Sequence, residues 1–164
     1  ITRRQAAERV LKTLEVLKSL PQGPESSGVA GYKGWYYHFL NTQDALRFKT
    51  VELSSIDTGL LMAGVLSCMT YFDQNDATEK AIREISDFLY RRVEFDWYLN
   101  EHKRLSMGWF PEHGFLPSDW RGYNEAMIPG MALRGLAVVA RKASISVLSS
   151  VSINARSPLE TAAR

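Results

Sequence analysis

The sequence predicts an all-α protein, a partial α/α toroid in which two concentric layers of helices are joined by long aromatic loops. Three observations predict it. One helical segment is apolar on every face, as a helix enclosed by other protein must be. The helical segments before and after it are apolar on one face only. The connections are long, irregular and crowded with aromatic side chains.

The first helix opens at Thr2, which has capping-box spacing to Gln5, and its apolar face is Val10, Leu11, Leu14 and Leu17. Pro21, Gly23 and Pro24 stop it. An irregular stretch, 22–51, follows, and its run Trp35-Tyr36-Tyr37-His38-Phe39 has the character of a short strand. Loops of this length inside a compact domain are uncommon and usually functional. The second helix is expected to begin at Ser54 or Ser55 with Asp57 in its first turn, and Gly59 to Met69 is its all-apolar body. Asp76 and Glu79 repeat the cap spacing before a third, amphipathic helix over about 77–93, whose face is Ile82, Ile85, Leu89 and Val93. Arg91 and Arg92 read as its solvated end. A second aromatic loop spans 95–123. A fourth helix is expected from about Asn124, with Pro129-Gly130 breaking it after one turn.

Composition excludes several classes. The chain has 164 residues with 20 basic and 18 acidic side chains, and a net charge of +2 gives no broad field for nucleic acid or a polybasic membrane anchor. The single cysteine, Cys68, rules out an internal disulfide framework, and its mid-helix apolar setting reads as buried and inert. No run of about 18 apolar residues is present, so no membrane-spanning helix is expected. No cofactor or metal is expected either. His38, His102 and His113 lack ligand spacing, and Gly28, Gly31 and Gly34 do not lead into a helix. Ser54-Ser55 lacks the context of a nucleophile elbow, and Glu112-His113 reads as a structural loop pair.

The chemistry-bearing feature is a set of carboxylates at helix starts. Glu52 precedes the second helix, Asp57 lies in its first turn, and Glu125 lies in the first turn of the fourth. If inner helices of a toroid run the same way, these acids meet at one rim, flanked by Trp and Tyr. Glycoside cleavage needs that combination: one acid protonates the leaving oxygen while a second stabilises the oxocarbenium-like centre or activates water. The competing role for Asp57 and Glu125 is to cap helices and answer the macrodipole.

Several strings in order, Gly34-Trp35-Tyr36-Tyr37-His38-Phe39-Leu40, Val51-Glu52-Leu53-Ser54-Ser55-Ile56-Asp57-Thr58, Trp109-Phe110-Pro111-Glu112-His113-Gly114-Phe115 and Gly122-Tyr123-Asn124-Glu125-Ala126-Met127-Ile128, resemble the bacterial glucoamylase-like domain family. Endo-β-1,2-glucanases and a domain of cyclic β-1,2-glucan synthases belong to it. The resemblance implies an (α/α)6 toroid, a bacterial periplasmic or cytoplasmic setting, and a parent enzyme hydrolysing or transglycosylating β-linked glucan. It points to Glu125 as the acid, with Glu52 or Asp57 as the second catalytic group. It makes Trp35, Tyr37, Trp109, Trp120 and Tyr123 sugar-contacting candidates. The partners it implies are an oligo- or polysaccharide and the missing remainder of the chain's own domain. A non-catalytic carbohydrate-binding module and a helical interaction domain are the rival readings.

Two segments are expected: residues 1–128 as a fragment of the catalytic domain, and 129–164 as an atypical tail, frame-shifted or disordered. All 18 aromatic residues lie between Tyr32 and Tyr123. Residues 129–164 hold five basic side chains and one acid, Glu160. The two loops 21–53 and 96–123 already occupy 33 and 28 residues, so the remaining length holds about a third of a twelve-helix ring. The chain, which starts Ile-Thr-Arg-Arg, is therefore expected to be a piece of something longer, and weak or inactive alone.

Overall fold

The structure is a computed structural model and describes residues 1–122, 124, 126 and 127. Tyr123 and Glu125, the fourth helix, the boundary at 128 and the tail 129–164 lie outside the described residues. Three helices form where the periodicity places them: α1 over Arg3–Ser19, α2 over Ser55–Tyr71 and α3 over Ala77–Arg91. Helix α3 packs against both α1 and α2.

Each helix start is chemically specified. Thr2 accepts from the Gln5 N–H while the Gln5 side chain accepts from the Thr2 N–H, a complete capping box. Ser54 caps α2 by accepting from the Asp57 N–H at 3.2 Å. Asp76 caps α3 through the N–H groups of Thr78 and Glu79. The core between the helices holds Ala7, Leu14, Met62, Val65, Ile82 and Leu89.

The fold is mostly helical but not all-α. A hairpin pairs β1 (Gly31–Tyr32) with β2 (Trp35–Tyr36) through Lys33 and Gly34, both at positive φ. Gly34 is required there twice over, by its φ of 83° and because a Cβ would stand 2.5 Å from the Arg92 carbonyl oxygen. A three-stranded antiparallel sheet joins β3 (Leu53–Ser54), β4 (Gly108–Phe110) and β5 (Gly114–Phe115) in that order. It draws the two aromatic loops together at the N-terminus of α2. The strands are two or three residues long, and β3 pairs with β4 across more than fifty positions, so local alternation does not announce them.

Three further expectations change. Helix α2 buries Ser55, Thr58, Gly59, Met62 and Val65, but among the described residues its far side is open, with Leu60 and Tyr71 exposed. Arg92 is not a solvated helix end. Its Nη2 donates to the Leu17 carbonyl at 3.0 Å and to the Tyr36 hydroxyl, and its guanidinium lies over the Tyr36 ring. Cys68 is half-buried rather than fully enclosed, and burial pushes its thiol up. Among the described residues, no helix is long and apolar enough to cross a membrane.

Candidate functional site

The strand-like run after β2 continues past the hairpin. Tyr37 bridges Leu53 in antiparallel fashion, and the His38 N–H donates to the Glu52 carbonyl at 2.9 Å. That pairing brings His38 beside Glu52, and the turn into α2 then delivers Asp57 to the same spot. His38 Nδ1 lies 2.8 Å from Glu52 Oε1, and His38 Nε2 lies 3.5 Å from Asp57 Oδ2. The Ser54 hydroxyl donates to Asp57 Oδ2. All three titratable side chains face solvent in part, at 38% for His38, 25% for Glu52 and 44% for Asp57. Glu52 and Asp57 thus lie on either side of one imidazole, at its two ring nitrogens. Among the described residues no group of three or more His, Cys, Asp or Glu side chains has the geometry to hold a metal ion.

The ground beneath Glu52 is firmly built. Tyr98 is fully buried and its phenol donates to the Leu53 carbonyl at 2.5 Å. Burial first, and the nearby Glu52 charge second, hold that phenol protonated far above its ordinary range. Arg47, whose side chain is 1% exposed, donates to the Val51 carbonyl at 2.8 Å and forks onto Glu112 at 2.6 and 3.1 Å. The Arg47 hydrogen bond in turn holds the Glu112 carboxyl below its ordinary value. One buried guanidinium thus locks the first aromatic loop to the second, one residue before Glu52, and Glu112 has the structural role expected of it. Gly108 leaves room on the other side: a Cβ there would lie 2.8 Å from Glu52 Cγ.

The aromatic candidates separate by position. Trp35 is fully buried, stacked at 4.1 Å on Tyr98, with its Nε1 donating to the Glu94 carbonyl at 3.1 Å. It is core, and offers no face to a sugar. Tyr37 is also buried, beneath the Arg47 guanidinium at 4.7 Å. Trp109 is half-buried in a ring cluster with Tyr32 and Trp97 at 5.4 and 5.3 Å. It pairs with Leu53 in the ladder, so alternation puts it on the sheet face opposite Glu52. Trp120 is the predicted aromatic nearest the carboxylates in the chain's wiring. Its Nε1 donates at 3.0 Å to Ser55 Oγ, in the first turn of α2. Asp119 secures that approach by accepting from Asn100 Nδ2 at 2.9 Å and from Arg121.

Sequence reasoning missed His38 and Phe39. The two rings stack at 4.3 Å and 12°, and Phe39 is 56% exposed, which leaves an aromatic face open beside the carboxylates. Burial in this run does not alternate: Trp35, Tyr36 and Tyr37 are buried and His38 and Phe39 are both exposed, so no periodic signal marked them. Nor could Glu52 be inferred as the partner of His38 from that pattern.

The chain thus gathers carboxylates and aromatic side chains at the N-terminus of α2, and it is similar to several known proteins. Exo β-1,2-glucooligosaccharide sophorohydrolase (non-reducing end) of Parabacteroides distasonis is 30% identical over 151 residues, spanning 89% of this chain and 20% of its own length. The endo-β-1,2-glucanase of Chitinophaga pinensis, solved with sophorotriose and glucose, superposes with a TM-score of 0.67 at 25% identity, over 80% of this chain and 31% of that one. A glucoamylase-like protein of Bacteroides uniformis superposes equally well, at 0.67 and 25% identity, over 80% of this chain and 32% of its own. No family model matches the chain. The chain is similar to glucoamylase-like and β-1,2-glucanase proteins over most of its own length and spans a fifth to a third of these relatives.

Proposed function

We propose that the chain is part of a glycoside hydrolase that acts on β-linked glucan, with β-1,2-glucan as the substrate, by two-carboxylate acid/base hydrolysis. The observation that carries the reading is the placing of Glu52 and Asp57 at the two ring nitrogens of the partly open His38, in a chain whose relatives are β-1,2-glucan hydrolases. Glu125 is assigned as the general acid on the strength of the Tyr-Asn-Glu-Ala motif. Glu52 or Asp57 then serves as the second carboxylate, as glycoside cleavage requires. Phe39 and Trp120 are assigned as the aromatic faces that receive the sugar.

The helices are read as a segment of an (α/α)6 double ring, with α2 on the inside and α1 and α3 outside. The open side of α2, with Leu60 and Tyr71 bare among the described residues, supports this, because a further helix of the ring would cover it. Residues 1–128 are taken as the catalytic-domain segment.

The test is reducing-sugar release from β-1,2-glucan by the full-length protein carrying this segment, alongside glucan binding read by tryptophan fluorescence. Glu125→Gln is expected to lower turnover by about 10²–10⁴-fold with binding retained, as loss of a general acid does. Glucan binding without turnover in either form would instead make the protein a carbohydrate-binding module. A folded protein that neither binds nor cleaves the glucan would overturn both readings.

A further inference from the structure

We propose that His38 is a positioning residue that orients Glu52 as a proton acceptor through a hydrogen bond from Nδ1. The proposal rests on the reading of Glu52 and Asp57 as parts of a glucan-cleaving site. Its basis is the wiring of one imidazole between two acids. An ionised carboxylate only accepts hydrogen bonds, so the 2.8 Å contact to Glu52 Oε1 requires the proton on His38 Nδ1. The backbone repeats the constraint, because the His38 N–H also donates to the Glu52 carbonyl. Ring orientation is fixed further by the Phe39 face stacked on it.

The second nitrogen is left differently placed. With Nδ1 protonated and the ring neutral, Nε2 carries a lone pair, and the oxygen 3.5 Å away, Asp57 Oδ2, already accepts the Ser54 proton. Asp57 Oδ2 is thus occupied from its own helix cap, and Oδ1, like Glu52 Oε2, has no hydrogen-bond partner among the described residues. Glu52 is held by His38 through Oε1, and among the described residues Oε2 has no hydrogen-bond partner. Oε2 is free to accept a proton from water or a sugar hydroxyl, which is the part a base plays in inverting cleavage. The charged or titratable groups facing the imidazole and its partner are Glu52, Asp57 and, across Glu52, the buried Tyr98 phenol.

The experiment is read by NMR on this chain and needs no turnover. Long-range ¹H–¹⁵N spectra, assigned to His38 by loss of its signals in His38→Ala, report the tautomer at neutral pH. The Nδ1–H tautomer is expected, and an Nε2–H tautomer would overturn the proposal. The Glu52 side-chain carboxyl ¹³C resonance is then followed through three variants. It is expected to move in His38→Ala and to return toward its original position in His38→Asn, whose amide nitrogen takes the place of Nδ1. It is expected to stay displaced in His38→Gln, whose amide reaches toward the Nε2 position. A purely space-filling role would favour the larger Gln, and a Glu52 resonance unmoved in His38→Ala would equally overturn the assignment. Absence of β-1,2-glucooligosaccharide binding, read by adding that oligosaccharide to the same samples, would count against the function of the site and not against the His38–Glu52 contact.

Discussion

At the start of α1, Arg3 lies between Asp73 and Glu79; beside α2, His38 lies between Glu52 and Asp57. Both are one cation-forming side chain set against two acids, yet they are built differently. Arg3 donates through Nε and Nη2 to both Glu79 oxygens at 2.7 and 2.9 Å, to Asp73 at 3.1 Å and to the Tyr71 carbonyl at 2.8 Å. Glu79 is 3% exposed and also accepts from the Gln74 N–H at 2.6 Å. The second cluster holds one good hydrogen bond and one 3.5 Å contact, with all three members partly open to water. A guanidinium stays charged at any pH the fold survives, whereas an imidazole can lose its proton near neutrality. The first arrangement fastens α1 to the α2–α3 turn. The second keeps unused hydrogen-bonding capacity, which a structural fastener has no reason to keep.

The largest effect that can break this comparison is on stability. Glu79→Gln leaves a guanidinium facing a neutral amide in a buried place, and removing one partner of a buried pair is strongly destabilising. It is expected to lower the thermal midpoint by many degrees. Glu52→Gln, on the partly open cluster, is expected to stay within about 0.5 kcal/mol, as substitutions away from buried networks usually do. Melting curves of the two variants, followed by far-UV circular dichroism, decide it. Equal losses would mean that the His38 cluster is a fastener too.

Acid sharpens the contrast more gently. Glu79, Glu112 and Asp119 are held below their ordinary values by hydrogen bonds from Arg3, Arg47 and Arg121 respectively. A carboxyl depressed in the folded state stabilises fully above its unfolded value, about 4.3 for Glu and 3.9 for Asp. That contribution is lost as the pH falls through the lowered folded values. The thermal midpoint is therefore expected to stay level from pH 7 to 5 and to fall below about pH 4, with a shallower fall in Glu79→Gln. A midpoint flat down to pH 2 would show that these pairs do not fasten the fold.

What the chain's pattern made legible follows from the range of each interaction. Helix starts are local, so Thr2 with Gln5, Ser54 with Asp57 and Asp76 with Glu79 could be read directly, and each caps a helix. Glu52 and Asp57 could be expected in one locality because only four residues of strand and helix start separate them. The pairing of β3 with β4 joins residues more than fifty positions apart, and no local periodicity carries it. Trp35 and Tyr37 were misjudged for a related reason. An aromatic in a loop looks the same in sequence whether it stacks on a sugar or on Tyr98 and Arg47. The buried Arg47 was unreadable as well, since its partners come from residues 26, 51 and 112.

The smallest expected effect tests the cluster without touching a titratable group. Gly108 lies opposite Ser54 in the ladder, and a Cβ on it would meet Glu52 Cγ at 2.8 Å and Leu116 Cδ1 at 3.0 Å. Leu116 Cδ1 ends its side chain and can give way, but Glu52 Cγ lies mid-chain, so Glu52 must shift by a few tenths of an ångström. Overpacking of this kind costs about 1 kcal/mol, well short of losing the fold. The Glu52 Oε1–His38 Nδ1 contact, set at 2.8 Å, is expected to lengthen first, because hydrogen bonds weaken steeply away from their optimal geometry. Gly108→Ala should therefore displace the His38 ring ¹⁵N signals while those of His102 and His113 stay in place. If all three histidines keep their positions, Glu52 has slack beside the strand, and the tight seat inferred for it here does not exist.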